Sequence, residues 1–135
     1  MRIVEIEDAD IEPVVALWER CGLTRPWNDP RADIALARRT KGSTVLIGWL
    51  DGAIAASVMV GSDGHRGWLY YMGVDPKLQR AGLGREIMAA AETWLLGQGV
   101  PKVQLMVRGE NAQAQGFYRQ LGYEPQDTVV LGKRF

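Results

Sequence analysis

The residues with the clearest chemical potential lie in a short glycine-containing turn, Gln79-Arg80-Ala81-Gly82-Leu83-Gly84-Arg85. An apolar run of strand character, 67–74, precedes the turn, and a segment with one apolar helical face follows it. A helix that begins there presents unpaired backbone N–H groups and the positive end of its dipole to the turn. Because glycines at 82 and 84 remove side chains that would keep an anion away, the sequence predicts a diphosphate site. A tight strand-to-helix turn without a ligand fits this stretch equally well.

Two familiar phosphate-binding motifs do not match the turn. A P-loop ends in Gly-Lys-Ser/Thr, and a dinucleotide-binding fingerprint has a third glycine and an acidic residue about 20 positions later. The chain instead has Gln79-x-x-Gly82-x-Gly84, and here it resembles the GNAT superfamily of N-acetyltransferases, whose acetyl-coenzyme A motif reads Gln/Arg-x-x-Gly-x-Gly/Ala. The resemblance extends to Val74-Asp75-Pro76 and to the stretches 103–107 and 111–123, in the order of the superfamily.

The resemblance implies acetyl-coenzyme A as co-substrate, and it implies no metal ion. The pantetheine arm would pair along the end of the central strand, where a backbone N–H near Val74 would bind the thioester oxygen. Asn111 matches a residue that hydrogen-bonds the arm, although it also suits a helix N-cap. The implied cofactor-binding residues are Met72, Gly73, Val74, Gln79, Arg80, Ala81, Gly82, Leu83, Gly84, Arg85 and Asn111.

Tyr118 matches the tyrosine that protonates the departing thiolate in many GNAT enzymes. A phenol of pKa about 10 can donate a proton to a thiolate whose conjugate acid lies near 8.5, provided that the two are in contact in a dry site. Packing in the core beside Phe117 is the alternative role for this side chain.

The general base is less clearly indicated. Many relatives have a glutamate on or near the central strand, where this chain has Tyr70 and Tyr71. Asp63, His65 and Glu110 are the alternatives, and His65 ranks first because its loop leads into the central strand. A solvent-accessible amine needs no dedicated base.

The amine acceptor is expected near the segment between the first two helices, which commonly borders the acceptor site in this family. The residues implied there are Arg25, Trp27 and Asn28. Packing of Trp27 into the core is an equally good explanation for this loop. The stretches 25–30 and 63–67 resemble those of a small, poorly characterised bacterial acetyltransferase group, which indicates no particular amine.

The elements that position these residues are predicted to form an α/β fold, with a mixed sheet and helices on both of its faces. Asp51-Gly52 predicts a two-residue hairpin turn, and Asp29-Pro30 predicts the start of a helix. The GNAT fold implied by the resemblance adds a bulge at Met72-Gly73 and a gap between the central strand and the strand 102–107. The predicted strands are 2–6, 43–50, 53–60, 67–74, 103–107 and 128–131, and the predicted helices begin at Asp8 or Asp10, at Pro30, after Gly82 and at Asn111.

Length and charge limit the functional classes. A chain of 135 residues suits one domain, 1–135. Its 16 basic and 16 acidic residues create no global field for nucleic acid or an anionic membrane, and the absence of an acidic patch disfavours polyamines. No apolar run approaches a membrane span, and acids replace the apolar start of a signal peptide, so a cytoplasmic location is expected. The lone Cys21 excludes an internal disulfide.

The sequence therefore predicts acetyl transfer from acetyl-coenzyme A to a primary amine of a small molecule or protein, by direct attack. The alternative is a GNAT-fold module that binds an acyl-coenzyme A as a sensor or structural partner, for which Tyr118 would be unnecessary. A homodimer is possible because a terminal strand that ends at Phe135 would leave an edge for a second copy to cover.

Overall fold

Five strands form one sheet in which spatial neighbours follow chain order. The structure, a computed structural model, describes all residues from Met1 to Phe135. The first four strands pair antiparallel, and the fifth is parallel to the fourth. The strands are β1 (Arg2–Glu5), β2 (Ser43–Leu50), β3 (Ala53–Ser62), β4 (Gly67–Val74) and β5 (Val103–Leu105).

Four helices cover the two faces of this sheet: α1 (Ile11–Arg20), α2 (Pro30–Arg39), α3 (Leu83–Gly97) and α4 (Ala112–Gln120). On one face, buried residues of α1 and α2, such as Trp18 and Ile34, form an apolar cluster with β2. On the other, Ile87 and Met88 of α3 form a second cluster with β3 and β4. The predicted mixed sheet with helices on both faces is confirmed. No helix combines the length and the hydrophobicity that a transmembrane span requires.

Local turn chemistry explains where several elements begin. Asp51 and Gly52 connect β2 to β3 with φ values of 51° and 80°, the positive φ at both central positions that a two-residue hairpin needs. Asp29 caps α2, since its Oδ1 accepts from Arg31 N at 3.0 Å and from Ala32 N at 3.2 Å. Both features confirm the sequence predictions.

The start of α1 differs in detail from its prediction. Neither Asp8 nor Asp10 caps this helix with its side chain. A short 3-10 turn, Asp8–Asp10, comes first, and the side chain of Asp10 caps it, because Glu7 N donates to Asp10 Oδ2 at 2.9 Å. The Asp10 carboxylate therefore caps the 3-10 turn that precedes α1, and not α1 itself as expected.

The predicted closing strand, 128–131, is wrong. These residues form no strand, and Val129 and Leu131 are 84% and 89% exposed. Valine and leucine favour a strand only where an edge pairs with them and a surface buries them. The tail finds neither within this chain, and β5 ends at Leu105 rather than Val107, which leaves β5 as a short edge of the sheet.

Candidate active site

The turn between β4 and α3 presents a run of unused backbone donors. None of the N–H groups from Gln79 to Arg85 donates to an acceptor within the chain. The first intrahelical bond of α3 runs from Glu86 N to Gly82 O at 3.1 Å, so the preceding amides are the free donors of a helix start. Arg80 and Gly82 have φ values of 70° and 81°, the kind of backbone from which anion-binding concavities are built.

Gly82 and Gly84 serve different structural roles in this turn. A Cβ at Gly82 would meet nothing within 4 Å, so Gly82 leaves open space above the free amides. A Cβ at Gly84 would lie 3.1 Å from Phe117 Cζ and 3.6 Å from Val74 Cγ2. Gly84 therefore permits close packing of α3 against α4 and β4, a role that the sequence prediction did not include.

A gap opens between β4 and β5 next to this turn. The two strands pair only from Gly67 to Leu69, and β4 continues alone to Val74. Asp75 N donates to Ala55 O at 2.8 Å, so the alternation of an antiparallel pair directs the N–H of Val74 away from β3 and towards the gap. The expected parting of these strands is present.

A bulge in β4 places two neighbouring tyrosines on one face. Tyr70 pairs with Met59 and Gly73 pairs with Ser57, so both Tyr71 and Met72 lie opposite one residue of β3. The bulge thus begins one residue before the predicted Met72-Gly73. Tyr71 has a φ of 51°, which is costly for a residue with a bulky side chain, and this conformation directs its ring to the α1 and α2 face beside Tyr70.

Both tyrosines line a cavity of about 680 Å³ that lies between α2, the α1–α2 loop and the two parting strands. Met106 and Arg108, which follow β5, border it from across the gap. We name it the acceptor cavity because Arg25 and Asn28, two of the residues predicted to lie near the acceptor, line it. Its complete lining is Leu23, Arg25, Asn28, Asp33, Leu36, Ala37, Thr40, Ser43, Met59, Tyr70, Tyr71, Met106 and Arg108.

Tyr71 is held rigidly in the wall of the acceptor cavity. Its ring stacks on Trp18 with a centroid distance of 3.8 Å and an interplanar angle of 5°. Its hydroxyl donates to Asp33 Oδ2 at 2.6 Å. Burial and this hydrogen bond to a carboxylate raise the pKa of Tyr71, so the phenol stays protonated. Trp18 is fixed in turn, because its Nε1 donates to Ser57 Oγ at 2.7 Å.

Tyr118 lies on the opposite face, on α4. Its ring makes edge contacts with Phe117 and Tyr123, with centroids 5.1 Å and 5.9 Å away. Burial raises the pKa of Tyr118, which keeps the phenol neutral, and its hydroxyl makes no hydrogen bond within the chain. Core packing beside Phe117 is therefore present, and the hydroxyl is left free for a further role. Asn111 caps α4, since its Oδ1 accepts from Ala114 N at 3.1 Å.

His65 lies at the end of β4 remote from the glycine turn. The strand from Gly67 to Val74 spans roughly 23 Å, and His65 precedes its first residue. The side chain of Asp63 accepts hydrogen bonds from the backbone N–H groups of His65 and Arg66, and these bonds lower the pKa of Asp63. The first rank given to His65 as the base is thus unsupported, because the direction of β4 carries its loop away from the gap.

The structure divides the predicted acceptor residues. Arg25 and Asn28 line the acceptor cavity. Trp27 does not line it and is 55% exposed, so it is not pinned in the core either; its carbonyl accepts from Arg134 Nη1 at 3.0 Å. Cys21 is half-buried, and its thiol, whose pKa is raised by burial, donates to Val74 O at 3.3 Å, in keeping with a structural residue.

Asp33, Tyr71 and Arg108 were not identified by the sequence analysis. Asp33 reads as an ordinary acid in the first turn of a helix, and Arg108 as a surface charge after a strand. They meet only because the bulge turns Tyr71 towards α2 and because β5 ends early. The one available signal was that the central strand has two tyrosines where many relatives have a glutamate.

Comparison with known proteins identifies the family of this chain. The family model for the acetyltransferase (GNAT) family matches residues 5–123. An acetyltransferase of Yersinia enterocolitica is 43% identical over 134 residues, which cover 99% of this chain and 95% of that protein.

Solved structures show the same fold. The aminoglycoside N-acetyltransferase AAC(6')-Iy, solved with a coenzyme A bisubstrate analogue, has a TM-score of 0.84 at 18% identity, with 99% of this chain and 97% of that one covered. The ribosomal-protein-S18-alanine N-acetyltransferase of Escherichia coli has a TM-score of 0.77 at 26% identity over 90% of this chain and 76% of that one. The chain therefore belongs to the acetyltransferase (GNAT) family and is an acetyltransferase enzyme.

Proposed function

We propose that the protein transfers the acetyl group of acetyl-coenzyme A to a primary amine within a ternary complex, and that residues 1–135 act as a single domain. The observation that carries this proposal is the run of free amides from Gln79 to Arg85 beside the gap between β4 and β5. A diphosphate on those amides would aim a pantetheine arm along the unpaired edge of β4. A structural neighbour of the same fold has been solved with a coenzyme A analogue, which supports this placement.

The cofactor needs several donors at once. One helix end contributes at most about 2 kcal/mol to an adjacent charge, whereas micromolar affinity corresponds to about 8 kcal/mol. The amides from Gln79 to Arg85, the side chains of Arg80 and Arg85, and the edge from Met72 to Val74 would together supply the remainder. Asn111 already caps α4 through its Oδ1, so contact with the arm would use its amide nitrogen.

The chemical step follows from groups on the two sides of the gap. The bound ammonium first loses one proton to a base or water. The neutral amine nitrogen then attacks the thioester carbonyl carbon, and the N–H of Val74 stabilises the negative oxygen that forms. The carbon–sulfur bond then breaks, and the thiolate takes the proton of Tyr118. The acetylated nitrogen loses one proton to a base or water, and the phenol is reprotonated from solvent. In sum, an ammonium ion and a thioester give an amide, a thiol and one proton.

The acceptor cavity limits the size of the amine. A volume of about 680 Å³ is within the range of small-molecule sites, and its wall combines Met59 and Leu36 with a few polar groups. These properties favour a small molecule over a folded protein surface. Arg25 and Asn28 are proposed to contact the acceptor, and Trp27 to contact only an acceptor that extends out of the cavity.

The substitution Gly82→Val tests the cofactor site. A valine side chain would fill the open space above the free amides, so we expect the affinity for coenzyme A in a calorimetric titration to fall by at least about tenfold. Gly99→Val is the matched control, because Gly99 has a φ of 79° and open space around it but lies after α3, away from the turn. Both variants carry the same backbone strain. Equal affinities in the two variants would refute the diphosphate site.

We also propose a homodimer in which the tail covers an apolar surface of a second copy. Val129 and Leu131 are 84% and 89% exposed, and Phe135 is fully exposed. In addition, β5 leaves one edge of the sheet unpaired. Light scattering should give twice the monomer mass, and replacement of Val129 and Leu131 by lysine should give the monomer. Leu96→Lys on α3, which is 72% exposed, is the control and should leave the mass unchanged. A monomeric parent protein would contradict the proposal.

A further inference from the structure

The charged groups of the acceptor cavity are the strongest unassigned feature of the molecule. Among its lining residues only Asp33, Arg25 and Arg108 carry charge, so one anion faces two cations. This balance differs from that of the whole chain, in which basic and acidic residues are equal in number. The cavity therefore has a local excess of positive charge that the global composition does not indicate.

Asp33 is suited to bind an ammonium group. It is half-buried and forms no ion pair; the ion pairs of the chain are Arg20–Asp75, Arg31–Glu12 and Arg38–Asp8. Its Oδ2 accepts from Tyr71, while Oδ1 has no partner within the chain. Tyr71 is itself fixed against Trp18, so the carboxylate is held in one orientation. A charge-assisted hydrogen bond from an ammonium to Oδ1 would satisfy the remaining oxygen.

The two arginines are suited to bind an anionic group. Arg108 is exposed, and its guanidinium has no hydrogen bond or ion pair within the chain. Arg25 is oriented by its own loop, because its Nη1 donates to Gly22 O at 2.8 Å and to Thr24 O at 2.9 Å. Its Nε and Nη2 remain unused. Guanidinium groups of this kind bind carboxylate or phosphate, often through two parallel hydrogen bonds.

We propose that the acceptor is a small primary amine that also carries an anionic group, with its ammonium at Asp33 and its carboxylate or phosphate between Arg25 and Arg108. The inference rests on the proposed acetyl transfer and defines its substrate class. A polycationic amine would meet two unpaired guanidinium groups and only one carboxylate. Aminoglycosides and polyamines should therefore be poor acceptors, although structural neighbours at 18% identity act on aminoglycosides.

The test uses pairs of acceptors that differ in one anionic group. Phenylalanine is compared with phenylalaninamide and phosphoethanolamine with ethanolamine, which separates carboxylate from phosphate recognition; spermidine and kanamycin represent polycations. Release of the coenzyme A thiol gives kcat/KM for each, and calorimetry with coenzyme A-loaded protein gives each Kd. The anionic member of at least one pair should be preferred by about tenfold or more in both measurements. Equal values within both pairs, or better turnover of the polycations, would overturn the inference.

Variants assign the preference to named side chains. Arg108→Gln should lower the ratio of kcat/KM for the anionic amine to kcat/KM for its neutral partner towards one, while Arg108→Lys should restore part of this ratio. Arg39→Gln, which removes an exposed charge from α2 outside the cavity, should change neither value. An Arg108→Gln variant with an unaltered preference would contradict the assignment. If no amine is acetylated but the anionic members still bind more tightly, the proposed function fails while the charge preference of the cavity stands.

Discussion

At the scale of single residues, the sequence around a side chain indicates some of the proposed site residues clearly and others not at all. The glycine turn could be proposed from residue types and spacing, and Tyr118 from the resemblance of its stretch to the family, because both lie within continuous motifs. Asp33 and Arg108 could not, because nothing near them in sequence indicates a common cavity. The only histidine of the chain, His65, has a side chain suited to a base, but the direction of β4 places it at the end of the strand remote from the glycine turn.

The substitution Tyr118→Phe should lower kcat and leave the Kd for acetyl-coenzyme A unchanged. The expected loss of kcat is about tenfold to a hundredfold. It lies at or below the low end of the range for general acids because a thiolate is already a good leaving group. Pre-steady-state and calorimetric measurements on the same preparation separate the two quantities. An unchanged kcat would remove the acid role.

Tyr123→Phe is the matched control for this variant. The Tyr123 hydroxyl is buried and has no hydrogen-bond partner, so its removal should not destabilise the protein. Its ring contacts that of Tyr118, so Tyr123→Phe also reports any effect of altered packing on turnover. Similar losses in both variants would point to packing rather than proton transfer.

At the scale of elements, most helices and strands could be predicted from local sequence signals. The position of the bulge in β4 and the absence of a strand at 128–131 depend instead on which strands pair with each other. The β2–β3 hairpin and the cap of α2 were predictable because the turn residues themselves fix the backbone. The bulge was expected from family resemblance, but its position one residue earlier depends on the pairing of β4 with β3. The segment 128–131 has strand composition and forms no strand, since pairing requires an edge that composition does not reveal.

The cap of α2 should influence acceptor binding. Asp29→Ala removes two hydrogen bonds to the first turn of α2, the turn that contains Asp33, and should cost about 1 kcal/mol of stability. We expect a lower Tm in calorimetry and a higher KM for the amine, with the Kd for coenzyme A unchanged. Asp29→Ser, which keeps an acceptor at the cap, should restore both values. A lower Tm with an unaltered KM would show that the first turn does not position Asp33.

At the scale of the whole molecule, all four tyrosines have a raised pKa in the folded state, and burial is the largest cause for each. A phenol whose folded pKa is raised contributes stability that is fully present below its ordinary value of about 10 and is lost as pH rises above it. Tyr70 is 43% exposed and can ionise in the folded protein. We therefore expect most of the tyrosinate absorbance, from the three less exposed rings, to appear above pH 10 and together with loss of the circular dichroism signal. Full ionisation near pH 10 with an intact signal would contradict the burial of these rings.

The two apolar clusters also divide the proposed functions between the faces of the sheet. The glycine turn and Tyr118 belong to the face of α3 and α4, whereas the wall of the acceptor cavity belongs to that of α1 and α2. Substitutions in 23–40 can therefore alter the preferred amine with little effect on packing around the glycine turn. Divergence among relatives can proceed on one side of the protein at a time, and a lineage can change its amine while keeping its acyl donor.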